Sequence, residues 1–403
     1  MTENVEKYSY ITQRDYEEVA GPSWPTFAQF LTHQGIEDFV YVELDAMLAP
    51  PVKFSHPSFC ILPFYGIEYP SNVACCLTTP GASREAIKQE MLNGDRPSAC
   101  NKCWRIEDAG GNSDRLIKNK TLDFYSNVDI AQIYQQCVDG KNSIVHYKID
   151  TSNVCNATCI TCGSISSSAW AKLEQSNSII PFTTWQKTPA EVDQMINYST
   201  AQSIGFRGGE PLLSKTNFHI LEQLVKHNNT NCFVNFTTNG SVMPTARQQA
   251  LLSKFANVNF CFSIDGIGPV FDYMRYPLKF SEIERTLQYC QQHGIMPSVS
   301  YTVSNVNVMY YAETIKWFDQ QNLPYIVNPV YSPRYFAPSV LPEQVKQDIF
   351  QAGQTSELRE LLFNAPCSDA YYALFRKKLA EQDQMKNIQL KYYLPELAKA
   401  LDQ

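Results

Sequence analysis

From residue 143 onward, short apolar runs alternate with longer stretches whose apolar residues recur at helical spacing. "SIVHYKIDTS" (143–152), "SIGFRGGEPLL" (203–213), "CFVNFTTNG" (232–240), "VNFCFSIDG" (258–266), "PSVSYTVS" (297–304) and "YIVNPVYSP" (325–333) read as six strands. "NFHILEQLVKHNN", "ARQQALLSKFA", "SEIERTLQYCQQHG" and "YYAETIKWFDQQN" read as the helices between them, the third stopped by Gly294. Alternation at this spacing predicts parallel strands joined by crossover helices. Six units fall short of a closed eight-unit barrel, so the fold expected is α/β, an open, partial (β/α)6 barrel over residues 141–335.

The rhythm is absent before residue 140. Residues 51–140 hold five clustered cysteines, a strand-like "FYGIEYPS" and a helical "SREAIKQEML", and are expected to form a small cysteine-rich domain. Residues 1–50 form an N-terminal lead-in, and 336–403 a helical C-terminal tail containing "LPEQVKQDIF" and "SELRELLF". No internal repeat is visible.

Composition narrows the class. The 403 residues are 44% hydrophobic, enough for a sizeable core. Net charge is −7 and Lys and Arg form no runs, which disfavours a nucleic-acid surface. No apolar run approaches the roughly 18 residues of a membrane span. The first residues, "MTENVEKYSYITQRDYEEV", are too polar for a signal peptide, so a soluble, cytoplasmic protein is expected. In a reducing compartment thirteen cysteines are not a disulfide framework but point to metal, iron–sulfur or redox chemistry. Eight of them cluster: Cys60 with Cys75 and Cys76, Cys100 with Cys103, and Cys155 with Cys159 and Cys162. Cys137, Cys232, Cys261, Cys290 and Cys367 stand alone; Cys232, Cys261 and Cys290 read as ordinary buried residues.

The polar residues gather where a parallel sheet puts its site. Cys155, Gly208 to Glu210, Thr238 with Asn239, and Ser263 to Asp265 all stand at or just past C-terminal strand ends. The triplet in "DTSNVCNATCITCGS" has spacings of three and two residues and no fourth cysteine beside it. Four thiolates would close a zinc site or complete a cubane. Three hold three irons of a [4Fe–4S] cluster and leave the fourth open to a ligand; the alternative is a zinc site borrowing a distant fourth ligand.

Cys155-x3-Cys159-x2-Cys162 after the first strand of a parallel α/β domain resembles the radical S-adenosylmethionine (radical SAM) superfamily. "GGEP", Gly208 to Pro211, is similar to that family's second-strand motif, in which backbone groups and the Glu210 carboxylate would hold the methionine amino group. "TTNG", with Thr238 and Asn239, and "SIDG", with Ser263 and Asp265, resemble the third- and fourth-strand motifs lining the ribose and substrate pocket. Arg275 in "DYMR" is placed like an arginine that meets the SAM carboxylate in peptide-modifying members; the alternative is a solvated surface charge. Where many members carry an aromatic residue before the third cysteine, this chain has Thr161. The resemblance spans residues 143 to about 333. It implies that a reduced cluster donates an electron to SAM, giving methionine and a 5′-deoxyadenosyl radical that abstracts hydrogen from the substrate. It also implies an electron donor such as flavodoxin or ferredoxin.

The earlier cysteines, in "SFCILPFYGIEYPSNVACCLTTP" and "RPSACNKCWRIEDAGG", resemble a twitch module, the shorter relative of the SPASM domain. By that resemblance Cys60, Cys75, Cys100 and Cys103 would ligate an auxiliary [4Fe–4S] cluster, with Cys75 preferred to its neighbour Cys76. The same four thiolates would fit a structural zinc ribbon. The module precedes the barrel, as in N-terminal twitch radical SAM proteins. The implied activity is a radical SAM oxidoreductase or maturase acting on a peptide. Radical modification of a sugar, nucleotide or other small molecule is a second reading, and a non-catalytic metal-binding protein a third.

Overall fold

The computed structural model describes residues 56–69, 82–108, 113, 115–116, 119, 130–176, 184–330, 333–363 and 368–402. The chain divides into two compact units, Met1–Lys148 and Ile149–Gln403. The proposed lead-in at 1–50 lies outside the described residues, as do Cys75, Cys76 and Cys367. Among the described residues no helix is long and apolar enough to cross a membrane.

In the first unit, strand β1 (Gly66–Tyr69) is the hydrogen-bonded neighbour of β2 (His146–Asp150), which carries the chain across the division. Helices α1 (Arg84–Leu92), α2 (Asn101–Asp108) and α3 (Ile130–Val138) accompany them. α1 starts where Ser83 accepts from the Ala86 backbone N–H, an N-cap of the usual chemistry. The core of this unit joins Phe59, Phe64, Met91, Trp104 and Cys137 with Cys60. A buried ion pair between Arg115 and Glu107 fastens it, and Arg115 Nη1 also donates to Phe59 O at 2.7 Å.

The second unit is α/β. After β2 come β3 (Ser203–Arg207), β4 (Phe233–Thr238), β5 (Val258–Ser263), β6 (Met296–Val303) and β7 (Tyr325–Pro329). Neighbours in the sheet follow sequence order, and every pair from β3 to β7 is parallel. Helices α4 (Ser168–Ser176), α5 (Lys215–Lys226), α6 (Ala246–Leu252), α7 (Pro269–Met274), α8 (Phe280–His293) and α9 (Tyr311–Gln320) form the crossovers. The partial barrel expected from the pattern is therefore the fold observed. α6 begins with a reciprocal Thr245/Gln248 capping box, and α8 stops at Gly294 in the left-handed conformation, φ 67°.

The register explains the two faces of the sheet. Phe206 lies opposite Phe236, and Phe236 opposite Phe260, so three fully buried rings form a row across β3, β4 and β5. Phe218 of α5 stacks on Phe236 with centroids 5.9 Å apart, which marks this as the helix-covered face. The intervening positions point the other way. They are Asn235, Asn259, Ser298, Ser300 and Asn328, joined as Asn259 to Asn235 (2.6 Å), Asn259 to Ser298 (3.1 Å) and Asn328 to Ser300 (2.9 Å). The helical C-terminal region adds α10 (Glu343–Gly353), α11 (Ser356–Phe363), α12 (Asp369–Lys386) and α13 (Pro395–Leu401), all in this unit.

Candidate functional site

The loop from Thr151 to Ser167 leaves the C-terminal end of β2 and carries all three cysteines of the triplet. Hydrogen bonds from several elements hold its backbone. Ser168 Oγ accepts from Cys155 N (3.0 Å) and donates to Cys155 O (3.1 Å), while Ser167 Oγ donates to Ala157 O (2.6 Å). Trp170 Nε1 donates to Cys159 O at 2.9 Å. Thr158 N and Ile160 N donate to Tyr276 O and Met274 O, at 2.6 and 2.8 Å. Gln382 of α12 donates to Ile160 O at 3.0 Å. These bonds tie the cysteine loop to its surroundings.

The Gly-Gly turn after β3 closes on this loop. Gly208 and Gly209 take φ of 76° and 49°, which glycine adopts without strain. A Cβ on Gly209 would lie 2.2 Å from Val154 O, so the turn presses on the backbone just before Cys155. Glu210 N donates to that same Val154 O at 2.7 Å. The Glu210 carboxylate is fully buried and accepts three bonds: Leu212 N (3.0 Å), Thr238 Oγ1 (2.8 Å) and Asn239 N (2.7 Å). Burial pushes its pKa up, and the two backbone donors and Thr238 pull it back. Pro211 opens the short helical turn Pro211–Leu213 that Glu210 caps. Glu210 thus ties the end of β3 to the end of β4.

Asn239 extends the tie to the cysteines. Its Nδ2 donates to Asn156 Oδ1 at 2.8 Å and lies 4.0 Å from Cys155 Sγ, while Asn156 Nδ2 donates to Ser241 Oγ at 2.9 Å. On the far side, Arg275 places Nη1 3.7 Å from Cys159 Sγ and Nη2 2.9 Å from Asp265 Oδ2. The Asp265 side chain is fully buried and that of Arg275 is 12% exposed, so Arg275 is no solvated surface charge; Asp265, together with Cys159 and Cys162, raises its pKa against the cost of desolvation. Arg275 Nε and Asp265 Oδ2 have no aligned hydrogen-bond partner, leaving polar capacity beside the loop. Ser263 stands half-buried at the end of β5, opposite Ser300 on β6.

The predicted residues of this unit therefore converge, Ser263 excepted, around one loop. Burial pushes Cys155 up to about 11 and Cys162 up to about 12, and raises Cys159 against the pull of Arg275. Metal binding must drive these thiols to thiolates. Among the described residues no three Cys, His, Asp or Glu side chains gather closely enough to hold a single metal ion. A cubane gives each thiolate its own iron. Thiol donors without histidine, spread over one rigid loop and flanked by N–H donors, fit an iron–sulfur cluster.

In the first unit Cys60 and Cys103 are buried, and Cys100 packs against the apolar core that holds Cys60. Cys137, alone in the sequence, is buried in that same core, and burial pushes its thiol up to about 12.

Three features escaped the sequence reading. Asn156 sits inside the cysteine motif, where its spacing carries no signal. The Asn/Ser row on the open face was legible as polar residues alternating with Phe in "FVNFTT" and "VNFCFS". Lys386 belongs to a tail with no local link to the site.

No family model matches the chain. An uncharacterized protein of Methanocaldococcus jannaschii is 25% identical over 188 residues, 45% of this chain. The chain spans about six tenths of that curated relative's length, 59%. Among solved structures, anSMEcpe with bound AdoMet overlaps 60% of this chain and 62% of its own, at 19% identity and a TM-score of 0.37. Streptococcus suis SuiB bound to the precursor peptide SuiA overlaps 75% and 58%, at 10% identity and a TM-score of 0.37. The methyltransferase TsrM of Kitasatospora setae overlaps 45% and 35%, at 15% identity and a TM-score of 0.32. Likenesses this distant carry no weight for the chemistry, which rests on the loop and the residues tied to it.

Proposed function

We propose that the second unit is a radical SAM enzyme. The observation that carries this reading is the cysteine loop itself: three thiols on a hydrogen-bonded loop at the end of the first barrel strand, joined through Val154 and Asn156 to the Gly-Gly-Glu turn and Asn239. Cys155, Cys159 and Cys162 would hold a [4Fe–4S] cluster, and Gly208 to Pro211, Thr238, Asn239, Ser263, Asp265 and Arg275 would receive S-adenosylmethionine. Bound together, cluster and SAM supply one-electron cleavage of the sulfonium and a hydrogen-abstracting radical.

The chain's own residues orient and enclose. Glu210 keeps one acceptor site beyond its three internal bonds, enough for an ammonium. Arg275 offers an unused Nε–H to a carboxylate. The Asn235–Asn259–Ser298 row offers amide and hydroxyl groups to a polar substrate. In this reading the substrate is a peptide modified oxidatively, on the strength of the first unit's resemblance to an auxiliary-cluster module. Cys60, Cys75, Cys100 and Cys103 would ligate that second [4Fe–4S] cluster, and a flavodoxin or ferredoxin would supply electrons.

The test is anaerobic reconstitution with iron and sulfide, followed by reduction in the presence of SAM. 5′-Deoxyadenosine is expected from the parent and not from the Cys155/Cys159/Cys162→Ala variant. Product from the triple variant would defeat the assignment. Metal analysis of that variant tests the first unit: about four irons support an auxiliary cluster, and one zinc without iron refutes it.

A further inference from the structure

Helix α12 ends against the cysteine loop. Gln382 donates to Ile160 O, and four residues on, Lys386 lies over the Trp170 ring with Nζ 4.7 Å from its centroid. That same indole donates to Cys159 O. Lys386 is 5% exposed, and its ammonium has one hydrogen bond, to Gln382 Oε1 at 3.1 Å. The adjacent carboxylate is turned to other donors: Asp383 Oδ1 accepts from Tyr273 OH and Oδ2 from Leu390 N, both at 2.7 Å. Among the described residues no carboxylate forms an ion pair with Lys386. The titratable groups that face it are Cys159, Asp383 and Cys162.

A buried ammonium with no ion-paired carboxylate is costly, and an anion brought close to it offsets that cost. Cys159 and Cys162 lie on the loop that Gln382 and Trp170 hold. Their sulfurs, when carrying metal, are thiolates. We propose that Lys386 is the counter-charge of the cluster held by the cysteine loop, a positioning residue whose ammonium favours the reduced state of that site. The proposal rests on the cysteine-loop reading above. The step is a one-electron reduction of the cluster by an external low-potential donor, dithionite in the test. Adding an electron makes the cluster more negative, so a nearby fixed cation stabilises the product more than the reactant. Trp170 serves the arrangement twice, fixing the Cys159 carbonyl and giving the ammonium a π face in a desolvated setting.

The experiment uses the full chain, reconstituted anaerobically, as parent, Lys386→Met, Lys386→Gln and Lys386→Arg. A redox titration follows the electron paramagnetic resonance signal that changes when SAM is added. The neutral variants are expected to shift the reduction equilibrium against the reduced form by about tenfold, a midpoint about 59 mV lower for one electron; Arg should stay near the parent. Loss of the cluster from Met and Gln but not from Arg supports the same charge role. Equal midpoints in Met and parent, or loss of the cluster from Arg as well, overturns it. Weaker SAM binding in Met at an unchanged midpoint also overturns it and assigns the lysine to SAM. A parent without any SAM-sensitive signal would instead sink the cysteine-loop reading.

Discussion

Glu210→Gln separates the two roles the structure gives this residue. The carboxylate is fully buried, and three donors converge on it. A glutamine keeps the shape, and its one oxygen can serve Leu212 N and Thr238 Oγ1, both of which bond Oε1. Its NH₂ then faces the Asn239 N–H, donor against donor. A buried N–H left unsatisfied costs about 1–3 kcal/mol, and the lost bond was charge-assisted, so a destabilisation of about 2 kcal/mol is expected. Urea denaturation of the metal-free chain measures it, because no cofactor then contributes. Asn239 would also shift, and its side chain bonds Asn156 and neighbours Cys155 Sγ. SAM binding to the reconstituted protein should therefore weaken by roughly ten- to a hundredfold. A Gln variant as stable as the parent would refute the tie between β3 and β4. A destabilised variant with normal SAM affinity would keep the tie and remove Glu210 from the binding site.

Two further predictions concern the loop. Gly209→Ala should lower stability well beyond Gly294→Ala: both have positive φ, but only at Gly209 would the Cβ meet backbone, and nothing lies within 4 Å at Gly294, a left-handed position. Paired melting curves isolate the clash, and iron uptake should fall only in the Gly209 variant. In the metal-free chain, Cys155 should be alkylated at pH 8 about a hundredfold more slowly than a thiol at the ordinary value of 9.0, since burial pushes it up to about 11. The neutral thiol is the form the fold favours, so this stabilising contribution is complete below about pH 9 and is lost as pH rises through about 11. Alkylation mapped by mass spectrometry from pH 7 to 10 checks it; a rate independent of pH contradicts it.

Much of the second unit was legible because strand and helix periods differ and parallel strands place their C-terminal ends together. Phe206, Phe236 and Phe260 explain why the apolar runs read as strands: their register sets three buried rings side by side across β3, β4 and β5, with Phe218 of α5 stacked on the middle one. Cys155, Glu210, Asn239 and Asp265 were found because each closes a strand. The roles of Glu210 and Arg275 within the fold were not legible. Glu210 spends three bonds on the chain itself, and Arg275 sits in the interior with Asp265, partnerships made between strand ends far apart in sequence. In the first unit, Cys137 gave no spacing signal because its approach to Cys60 is made by packing across dozens of residues.

Lys386 marks the limit of motif reading most sharply. Nothing in "AEQDQMKNIQL" separates this lysine from the solvated Lys377 nine residues earlier on the same helix. What distinguishes it is α12's docking: Gln382 reaches Ile160 O, and Asp383 is held by Tyr273 from α7. α7 leads into the segment that supplies Met274 O and Tyr276 O to the loop's own N–H groups. The cysteine loop is thus gripped from α4, from the end of α7 and from α12, and each grip uses backbone groups the loop would otherwise leave bare. Burial resists ionisation of these thiols, and the cations that would reward it stand against the same loop: Arg275, with Nη1 3.7 Å from Cys159 Sγ, and the buried Lys386 over Trp170. Assembly of a cluster would therefore set the cost of ionising buried thiols against the gain of giving the buried Lys386 ammonium anions to face.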